Sequence, residues 1–313
     1  NVSNAEARGL VKAEVNDAVV TASDAVEVKA RYDAFVRAAT FGVSAGLGAV
    51  GAMNASTQAG LGQDGDAHVN ISGASELKGD RVNVSAEVNS DLFTATTVGG
   101  GGGFAGVGAV SRVDDDTTSL ISVGAGTNVL ATSVNIGASA DRSTDGTADA
   151  YAYAVASGAG AALYVNALGD ARVEFAKSTD AEKTTIVGRS IQIDSYNQTY
   201  KEHIISSTPS SSSSFGLALA DRNVSSGSAS FFGLSILGSV TQLGNNSNKS
   251  NSLVDIGDAR VSGVGSFVNP SIVNIRALSN HSAADSVEVN AIGGLAGLAV
   301  ATSEVDIDAD TRV

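Results

Sequence analysis

The sequence contains no cysteine and no tryptophan, and it has only two prolines, one methionine and three histidines. Without cysteine the chain has no disulfide, no thiol nucleophile and no thiolate metal site. The same lack suits a chain that is threaded unfolded through a secretion pore, where a premature disulfide would block transit. With six tyrosines and nine phenylalanines in 313 residues, the core must consist mainly of small and branched aliphatic side chains. Such a core suits thin layers of stacked strands better than a bulky globular centre.

Positive charge is scarce too: 19 lysines and arginines stand against 33 aspartates and glutamates, which gives a net charge of −14. The basic residues are scattered singly, whereas phosphate binding needs a clustered basic face. We therefore expect no nucleic-acid partner, and the same argument disfavours an anionic membrane surface. No apolar run reaches the roughly 20 residues that a membrane helix needs, so we expect no membrane span. The acidity fits the solubility of a long exposed surface.

The two ends of the sequence carry no targeting signal. The chain starts at Asn1 without an initiator methionine or a charged-then-apolar leader, and it stops at Val313 within a strand-like pattern that has no polar cap. We expect a mature product or a segment of a longer chain.

Three elements recur five times in the same order, and they are the strongest signal in the sequence. The first element reads β-branched, polar, β-branched, any residue, small, and it starts at Val26, Val82, Val134, Ile191 and Val273. A Gly-Ala-rich run follows, starting at Phe41, Gly99, Ser157, Phe232 and Gly293. A closing strand then starts at Val69, Leu120, Val173, Val254 and Val305. We expect one elongated array over 1–313 with approximate repeats 21–76, 77–129, 130–186, 187–268 and 269–313.

The period inside these elements is two residues: Val82, Val84 and Ala86 share one face, as expected for a strand. A sandwich has no reason to repeat one ordered triplet, whereas each coil of a solenoid packs only on its neighbours. The sequence therefore predicts an all-β fold, a right-handed parallel β-solenoid (β-helix) of about five tandem repeats. We expect two or three coils of roughly 18 to 25 residues in each repeat. Some 12 to 16 coils would then make a rod on the order of 60–75 Å long.

Glycine is abundant, with 36 residues or about 12% of the chain, against roughly 7% in an average protein. The Gly-Ala runs predict places where two faces of the solenoid approach closely. A flexible linker is the alternative for Gly99–Gly103, but the matching runs of the other repeats carry hydrophobic residues, which favours ordered structure.

The fourth interval between first elements is the longest, and it contains Pro209 and the run Ser210–Ser214. This composition predicts an insertion loop at 200–228 that projects from the array. Aromatic residues occur in and around this stretch and would suit a binding module: Tyr196, Tyr200, Phe231 and Phe232.

No constellation of chemically active residues stands out. The histidines, His68, His203 and His281, occupy different positions of their repeats, and we expect surface polar roles for them. Carboxylates cluster at Asp114–Asp116, predicted to lie in a turn, and alternate at Asp306, Asp308 and Asp310, predicted to face solvent. Neither set is accompanied by the aromatic platforms and basic residues of glycan-cleaving sites. We therefore predict no enzymatic activity, no catalytic, cofactor-binding or metal residue, and at most weak Ca²⁺ binding.

The ordered pattern, with strands such as Val82–Ala86, apolar runs such as Phe104–Val110 and closing strands such as Val305–Ile307, resembles a known class. It is similar to the repeats of very large secreted filamentous proteins of Gram-negative bacteria, the leukotoxin-like and filamentous-haemagglutinin-like adhesins of the type V secretion pathway. The resemblance covers the whole chain and implies a right-handed β-helix, export to the cell surface and a role as stalk, adhesin or filament.

This resemblance makes a structural or adhesive segment of an extracellular bacterial surface fibre the expected function. The partners would be the chain itself, head to tail or as further repeats, and a glycan or host surface. Two alternatives stay open: a glycan- or host-protein-binding module on a β-helix stalk, and a β-helix enzyme that degrades polysaccharides.

Overall fold

The computed structural model describes residues 1–60, 66–177, 183–221, 224–225, 229–231, 234–236, 241–242, 249–266, 269–289, 292–304 and 308–313. Strands account for 83% of the structure, and these residues contain no helix. The strands of successive repeats lie parallel to one another in long sheets. The predicted all-β parallel β-solenoid is therefore confirmed.

Most of the chain lies in long strands that stack in one sheet in chain order. They are β4 (Ala25–Ala59), β6 (Glu76–Asp116), β8 (Asn128–Leu168), β11 (Ser190–Asp221) and the pair β18 (Ile272–Val289) and β19 (Ile292–Glu304). Shorter strands extend the same sheet: β1 (Val2–Ala7), β3 (Val19–Thr21), β10 (Thr185–Gly188) and β17 (Arg260–Gly263). We refer to the successive long strands as layers one to five.

A second parallel sheet is made of the strands that close each coil. They follow one another in chain order as β2 (Val11–Asn16), β5 (Ala67–Ser72), β7 (Ser119–Val123), β9 (Ala171–Phe175), β16 (Lys249–Asp255) and β20 (Asp308–Arg312). Four of the predicted closing elements, which start at Val69, Leu120, Val173 and Val254, lie in these strands. The fifth, at Val305, lies outside the described residues.

Each repeat forms one coil, because the predicted first elements lie directly beside one another. Val26 pairs with Val82, and Val82 with Val134. Val134 then pairs with Ile191, which pairs with Val273. The prediction of two or three short coils in each repeat is therefore wrong. Six closing strands at about 4.8 Å make a stack about 24 Å deep, far shorter than the predicted rod of 12 to 16 coils.

The coil is long because each long strand runs outward, bends and returns along its own inner face. In layer two the hydroxyl of Thr96 donates to the carbonyl of Val110 over 2.8 Å, and Ser111 Oγ donates to Thr96 Oγ1 over the same distance. In layer one the hydroxyl of Thr40 reaches the carbonyl of Asn54 at 3.1 Å. We call the two halves the outward leg and the return leg, and the bend between them the tip.

The two legs are so close that glycines on the outward leg face larger side chains on the return leg without room for a side chain of their own. A Cβ atom on Gly100 would lie 2.6 Å from Val107 Cγ1, and one on Gly146 would lie 2.6 Å from Leu163 Cδ1. A Cβ atom on Gly42 would overlap Met53 Cε. This is the physical role of the Gly-Ala runs, and it confirms the predicted close approach of two faces. Gly99–Gly103 is ordered as part of β6, not a flexible linker.

Alternation along the outward legs sorts apolar side chains from polar ones. Val82, Val84 and Ala86 are buried inside the coil, while Asn83 lies on the outer surface. There Asn135 Nδ2 donates to Asn83 Oδ1 over 3.0 Å, so the amides of neighbouring layers bond to one another. The polar residue in the first element thus links coils from outside, while its β-branched neighbours pack within.

The prediction of an insertion loop at 200–228 is wrong for residues 200–221, while 222–223 and 226–228 lie outside the described residues. The residues from Tyr200 onward belong to β11 and pair in register with β8 as far as Ala220, opposite Leu163. The additional residues come later in the chain. Paired residues of layers three and four are 57 positions apart in sequence at Leu163 and Ala220, and they are 81 positions apart at Ala171 and Ser252. The described parts of this later segment form two small antiparallel pairs, β12 (Val224–Ser225) with β15 (Thr241–Gln242), and β13 (Ala229–Phe231) with β14 (Leu234–Ile236).

The tightest backbone approach at the tip gives a first prediction. Gly102 has a positive φ of 146°, and a Cβ atom there would overlap the carbonyl oxygen of Gly46 in the neighbouring layer. We expect Gly102→Ala to lower the free energy of unfolding by about 2 kcal/mol, from backbone strain and overpacking together. Urea unfolding followed by far-UV circular dichroism measures this.

Gly106→Ala is the matched control for that substitution, because a Cβ atom on Gly106 meets nothing within 4 Å. Its unfolding curve should stay close to that of the unmodified chain. Equal stability of the two variants would contradict the close packing of the tip.

Candidate functional site

The three histidines do not come together. The described residues place His68 on β5, half-buried, with Nε2 3.3 Å from the hydroxyl of Ser122 on the neighbouring closing strand. His281 is a half-buried residue of β18, and His203 belongs to β11 in the layer before it. His281 is opposite Thr199 in the pairing of these two strands, so residue 203 lies four residues further along β11 than the partner of His281.

The triple aspartate does not lie in a turn, as predicted, but at the end of β6 on the return leg of layer two. Strand alternation splits it: Asp115 points into the coil and is 1% exposed, whereas Asp114 and Asp116 lie on the outer side. The outer pair lines a groove of about 510 Å³ together with Arg112 and residues of layers one and three, among them Ser56 and Asn166.

Polar contacts hold Asp114 in that groove. Its carboxylate accepts hydrogen bonds from Arg112 Nε at 2.5 Å and from Asn166 Nδ2 at 2.6 Å. The bond to Asp114 raises the pKa of Arg112, while burial raises the pKa of Asp116. The groove thus places the outer carboxyl groups of Asp114 and Asp116 near one another, but among the described residues its lining includes no aromatic platform on which a sugar could stack.

The remaining carboxylates predicted from the sequence are only partly described. Asp308 and Asp310 belong to β20, where Asp310 accepts a hydrogen bond from Arg312 Nε at 2.8 Å. Asp306 and Phe232 lie outside the described residues. In the part of the chain that the structure describes, no group of three histidine, aspartate or glutamate side chains could hold a metal ion. The described residues also contain no helix that is long and apolar enough to cross a membrane.

A buried polar network that the sequence analysis did not predict lies inside the coil, where the outward and return legs approach the closing sheet. We call the two paired legs of a coil its flat extension. Its centre is Arg142 of layer three, whose side chain is fully buried. The guanidinium donates from Nε to the carbonyl and hydroxyl oxygens of Thr117, both at 3.2 Å. Another nitrogen of the same group donates to Asn197 Oδ1 at 2.9 Å and to Thr199 Oγ1 at 3.3 Å in layer four.

Asp115 extends this network into layer two. Its carboxylate accepts hydrogen bonds from the hydroxyl of Ser90, on the opposite leg, and from the hydroxyl of Thr117 at 2.8 Å. Asn197 continues the network on the other side, donating to the carbonyl oxygen of Asn251 at 2.9 Å. One set of buried hydrogen bonds therefore joins layers two, three and four and ties the outward legs to the return legs.

Several carboxyl groups share Arg142 as a buried cation. Asp115, Asp170, Asp116 and Asp66 all interact electrostatically with Arg142. Burial raises the pKa of Asp115, against the opposing attraction of Arg142 and the hydrogen bonds from Ser90 and Thr117. Burial likewise lowers the pKa of Arg142. Such a site is suited to holding coils together, because Arg142 and Asp115 at its centre are buried inside the coil.

The sequence did contain a signal for this network. Arg142 has the same strand parity as Val134, Ile136 and Ala138, which face inward in the same layer. An arginine at an inward position needs a buried acceptor, and Asp115 also stands at an inward position of its own strand. Following the alternation beyond the first element would have identified Arg142. Asp115 follows the parity of Val107 and Val113 on the return leg, where the inward positions change from even to odd numbers.

The other candidate site is an unpaired strand edge. Between Ala25 and Gly51, β4 pairs with β6 on one side, and none of the described residues pairs with its other side. Apolar side chains are exposed at the tip of this layer: Leu47 is 90% exposed and Val50 is 86% exposed. At the other end of the stack, β18 and β19 pair with β11 on one edge, and no described residue pairs with the other. Both ends of the stack therefore present open backbone donors and acceptors.

Comparison of the chain with protein-family models, with curated proteins and with solved structures gave no match.

The buried arginine leads to a prediction about stability. We expect Arg142→Met to lower the free energy of unfolding by about 3–5 kcal/mol, because it leaves Asp115 and Asn197 buried without their cationic partner. Arg112→Met makes the same change at a side chain that is 56% exposed, and it should cost no more than about 1 kcal/mol. Urea unfolding of both variants tests this, and equal losses would contradict a special role for the network.

The raised pKa of Asp115 leads to a prediction about pH. The native state binds the proton more tightly than the unfolded chain, so the stabilisation is complete below the unfolded value of 3.8. It is lost as the pH rises through the raised pKa, so the free energy of unfolding should fall from about pH 4 towards neutrality. Asp116 acts in the same direction, since burial raises its pKa as well.

Asp115→Asn keeps an acceptor oxygen for Ser90 and Thr117 but has no proton to lose. Its free energy of unfolding should therefore vary less with pH than that of the unmodified chain. Asp114→Asn makes the same substitution at an outer carboxylate of the same strand and is the control. Superimposable pH profiles for the Asp115 variant and the unmodified chain would show that Asp115 does not titrate as stated.

Proposed function

We propose that this chain is a structural and adhesive segment of an extracellular bacterial surface fibre, built by stacking coils edge to edge. The observation that carries the proposal is the open edge of β4 between Ala25 and Gly51, which offers a full-length strand for pairing. A parallel coil added there would make the same contacts that β4 already makes with β6. The added coil comes from a second copy of the chain or from further repeats of a longer one.

The composition supports export to a cell surface. The chain lacks cysteine, so it can be secreted unfolded without disulfide errors, and its net charge of −14 keeps a long exposed surface soluble. The resemblance to the repeats of large secreted adhesins points to the same location. A stalk also needs no catalytic group, and the network around Arg142 serves cohesion between coils instead.

The packing of the core supports a structural role as well. Side chains in the interior stack on their counterparts in the next coil, as Val84 does on Ile136 and Val28 on Val84. Each coil therefore buries its apolar face against its neighbours, and a longer stack adds further interfaces of the same kind.

The open edge predicts head-to-tail association of the isolated chain. We expect particles that grow in one direction as the concentration rises, because each addition leaves a new open edge. Leu47→Lys combined with Val50→Lys places two cations at the tip of the open layer, and we expect it to shift association to at least about tenfold higher concentration. Sedimentation velocity over a concentration series, with negative-stain electron microscopy, measures the effect.

Gln58→Lys is the control for this experiment. It adds a cation to the same strand at a position whose outer edge is already covered, because Gln58 pairs with Glu6 of β1. Its association should match that of the unmodified chain. A chain that stays monomeric at every concentration, or compact particles that do not lengthen, would refute edge-to-edge stacking.

A further inference from the structure

The outer face of the outward legs carries an apolar groove close to the tip, separate from the open edge and from the buried network. Its floor is formed by Gly99 and Gly101 of layer two. Gly99 pairs with Val43 of layer one and with Tyr151 of layer three, and Gly101 pairs in the same way with Tyr153 of layer three. Side chains thus stand on both neighbouring strands while the strand between them has none.

The groove has a defined width and volume. The backbones of layers one and three are two strand spacings apart, about 9.5 Å, and the glycines leave the space between their side chains empty. Phe41 and Val43 form one wall, and Tyr151 and Tyr153 form the other. The resulting volume is about 540 Å³. A flat molecule about as thick as one ring fits between the two walls when its long axis follows the strand direction.

The groove is open to solvent, and this restricts its ligand. Phe41 is 71% exposed, Val43 is 69% exposed and Tyr153 is 55% exposed. A wholly apolar chain in such a groove would keep much of its surface in water and gain little. A ligand with one apolar face and hydroxyl groups on its edges and its other face suits the groove better. Pyranose rings have this character, and tyrosine provides both a flat apolar ring and a polar tip.

Charge restricts the ligand further. Among the described residues no charged side chain lines the groove, and Asp149, opposite Thr97 in the next layer, lies next to it. On the same face Arg37 packs over the rings of Phe35 and Phe93, at 4.5 Å and 5.6 Å from their centroids. With a net charge of −14 on the whole chain, an anionic ligand would find no cation in the groove to bind.

We propose that this groove binds a neutral, unbranched polysaccharide, whose sugar rings stack on Tyr151 and Tyr153 and lie along the glycine floor against Phe41. The site does not depend on edge-to-edge stacking, because it opens on the outer face of the sheet and a coil added to β4 would leave that face uncovered. It would give a stalk its own contact with a neutral glycan surface.

The test uses the whole 313-residue chain with cellohexaose and mannohexaose as probes in isothermal titration calorimetry. We expect at least one of them to bind, with the weak affinity typical of an open groove. Gly99→Val fills the floor, and its Cβ atom would lie 3.5 Å from Val43 Cγ2, an ordinary contact that the fold can accept. This substitution should weaken binding by about tenfold or more.

Gly106→Val is the matched control, because a Cβ atom there has open space and the residue lies on the return leg, outside the groove. It should bind as the unmodified chain does. If Gly99→Val lowers the melting temperature, the double variant Tyr151→Ala and Tyr153→Ala decides the matter, and it should also lose about tenfold in affinity.

Three results would overturn the proposal: neither neutral probe binds at millimolar concentration, binding survives unchanged in both groove variants, or polygalacturonate binds more tightly than both neutral probes. The variant Leu47→Lys with Val50→Lys separates this site from the proposed stacking. It should keep its glycan binding even where its self-association is reduced, so either proposal can fail alone.

Discussion

Parallel pairing of whole coils in register is the constraint on which the rest of this structure depends. Because each coil lies directly on the next, residues at paired positions of successive repeats form rows that run along the stack. The side chains of one row must then pack or bond with one another at a spacing of about 4.8 Å. Inside, Val and Ile satisfy this requirement by packing on their own kind. Outside, amides such as Asn83 and Asn135 satisfy it by bonding to one another.

The flat extension of each coil adds a second requirement, because its two legs are separated by a single layer of side chains. Near the closing sheet the space admits larger side chains, and near the tip glycines such as Gly100 face larger side chains such as Val107 on the other leg. The buried network lies between these two zones. Asp115 and Arg142 are both hydrogen-bonded there, as charged groups inside a protein need to be. The same small residues that let the legs meet inside also form the floor of the outer groove.

The sequence was sufficient to predict what depends on local alternation and on repetition. It predicted the parallel solenoid, the first elements that lie side by side from Val26 to Val273, and the close approach at the Gly-Ala runs. The length of a coil could not be predicted in this way, because a strand that bends back on itself reads like two separate strands. Serine-rich composition placed the insertion too early, since pairing with β8 holds the residues after Tyr200 in the sheet despite their low strand propensity.

The inward arginine was missed for a different reason. The sequence analysis considered Arg142 only as one of the scattered basic residues and placed Asp115 in a turn, although both residues lie at inward positions of their strands. Alternation that extends beyond a recognised motif therefore carries information that composition does not. The groove was missed because its walls come from residues about 110 positions apart, Val43 and Tyr151, which only the stacking of three layers brings to either side of Gly99.

The buried arginine also bears on how a repetitive chain selects one alignment among many. Strands of alternating Val, Ile and Ala can slide past each other by two residues and still bury their apolar side chains, so packing alone leaves neighbouring alignments close in energy. A two-residue slip of layer three would move Arg142 away from Thr117 and Asn197 and leave its charge buried without acceptors. The network thus raises the free energy of misaligned stacks that the apolar core would tolerate. It fixes the alignment of layer three relative to layers two and four.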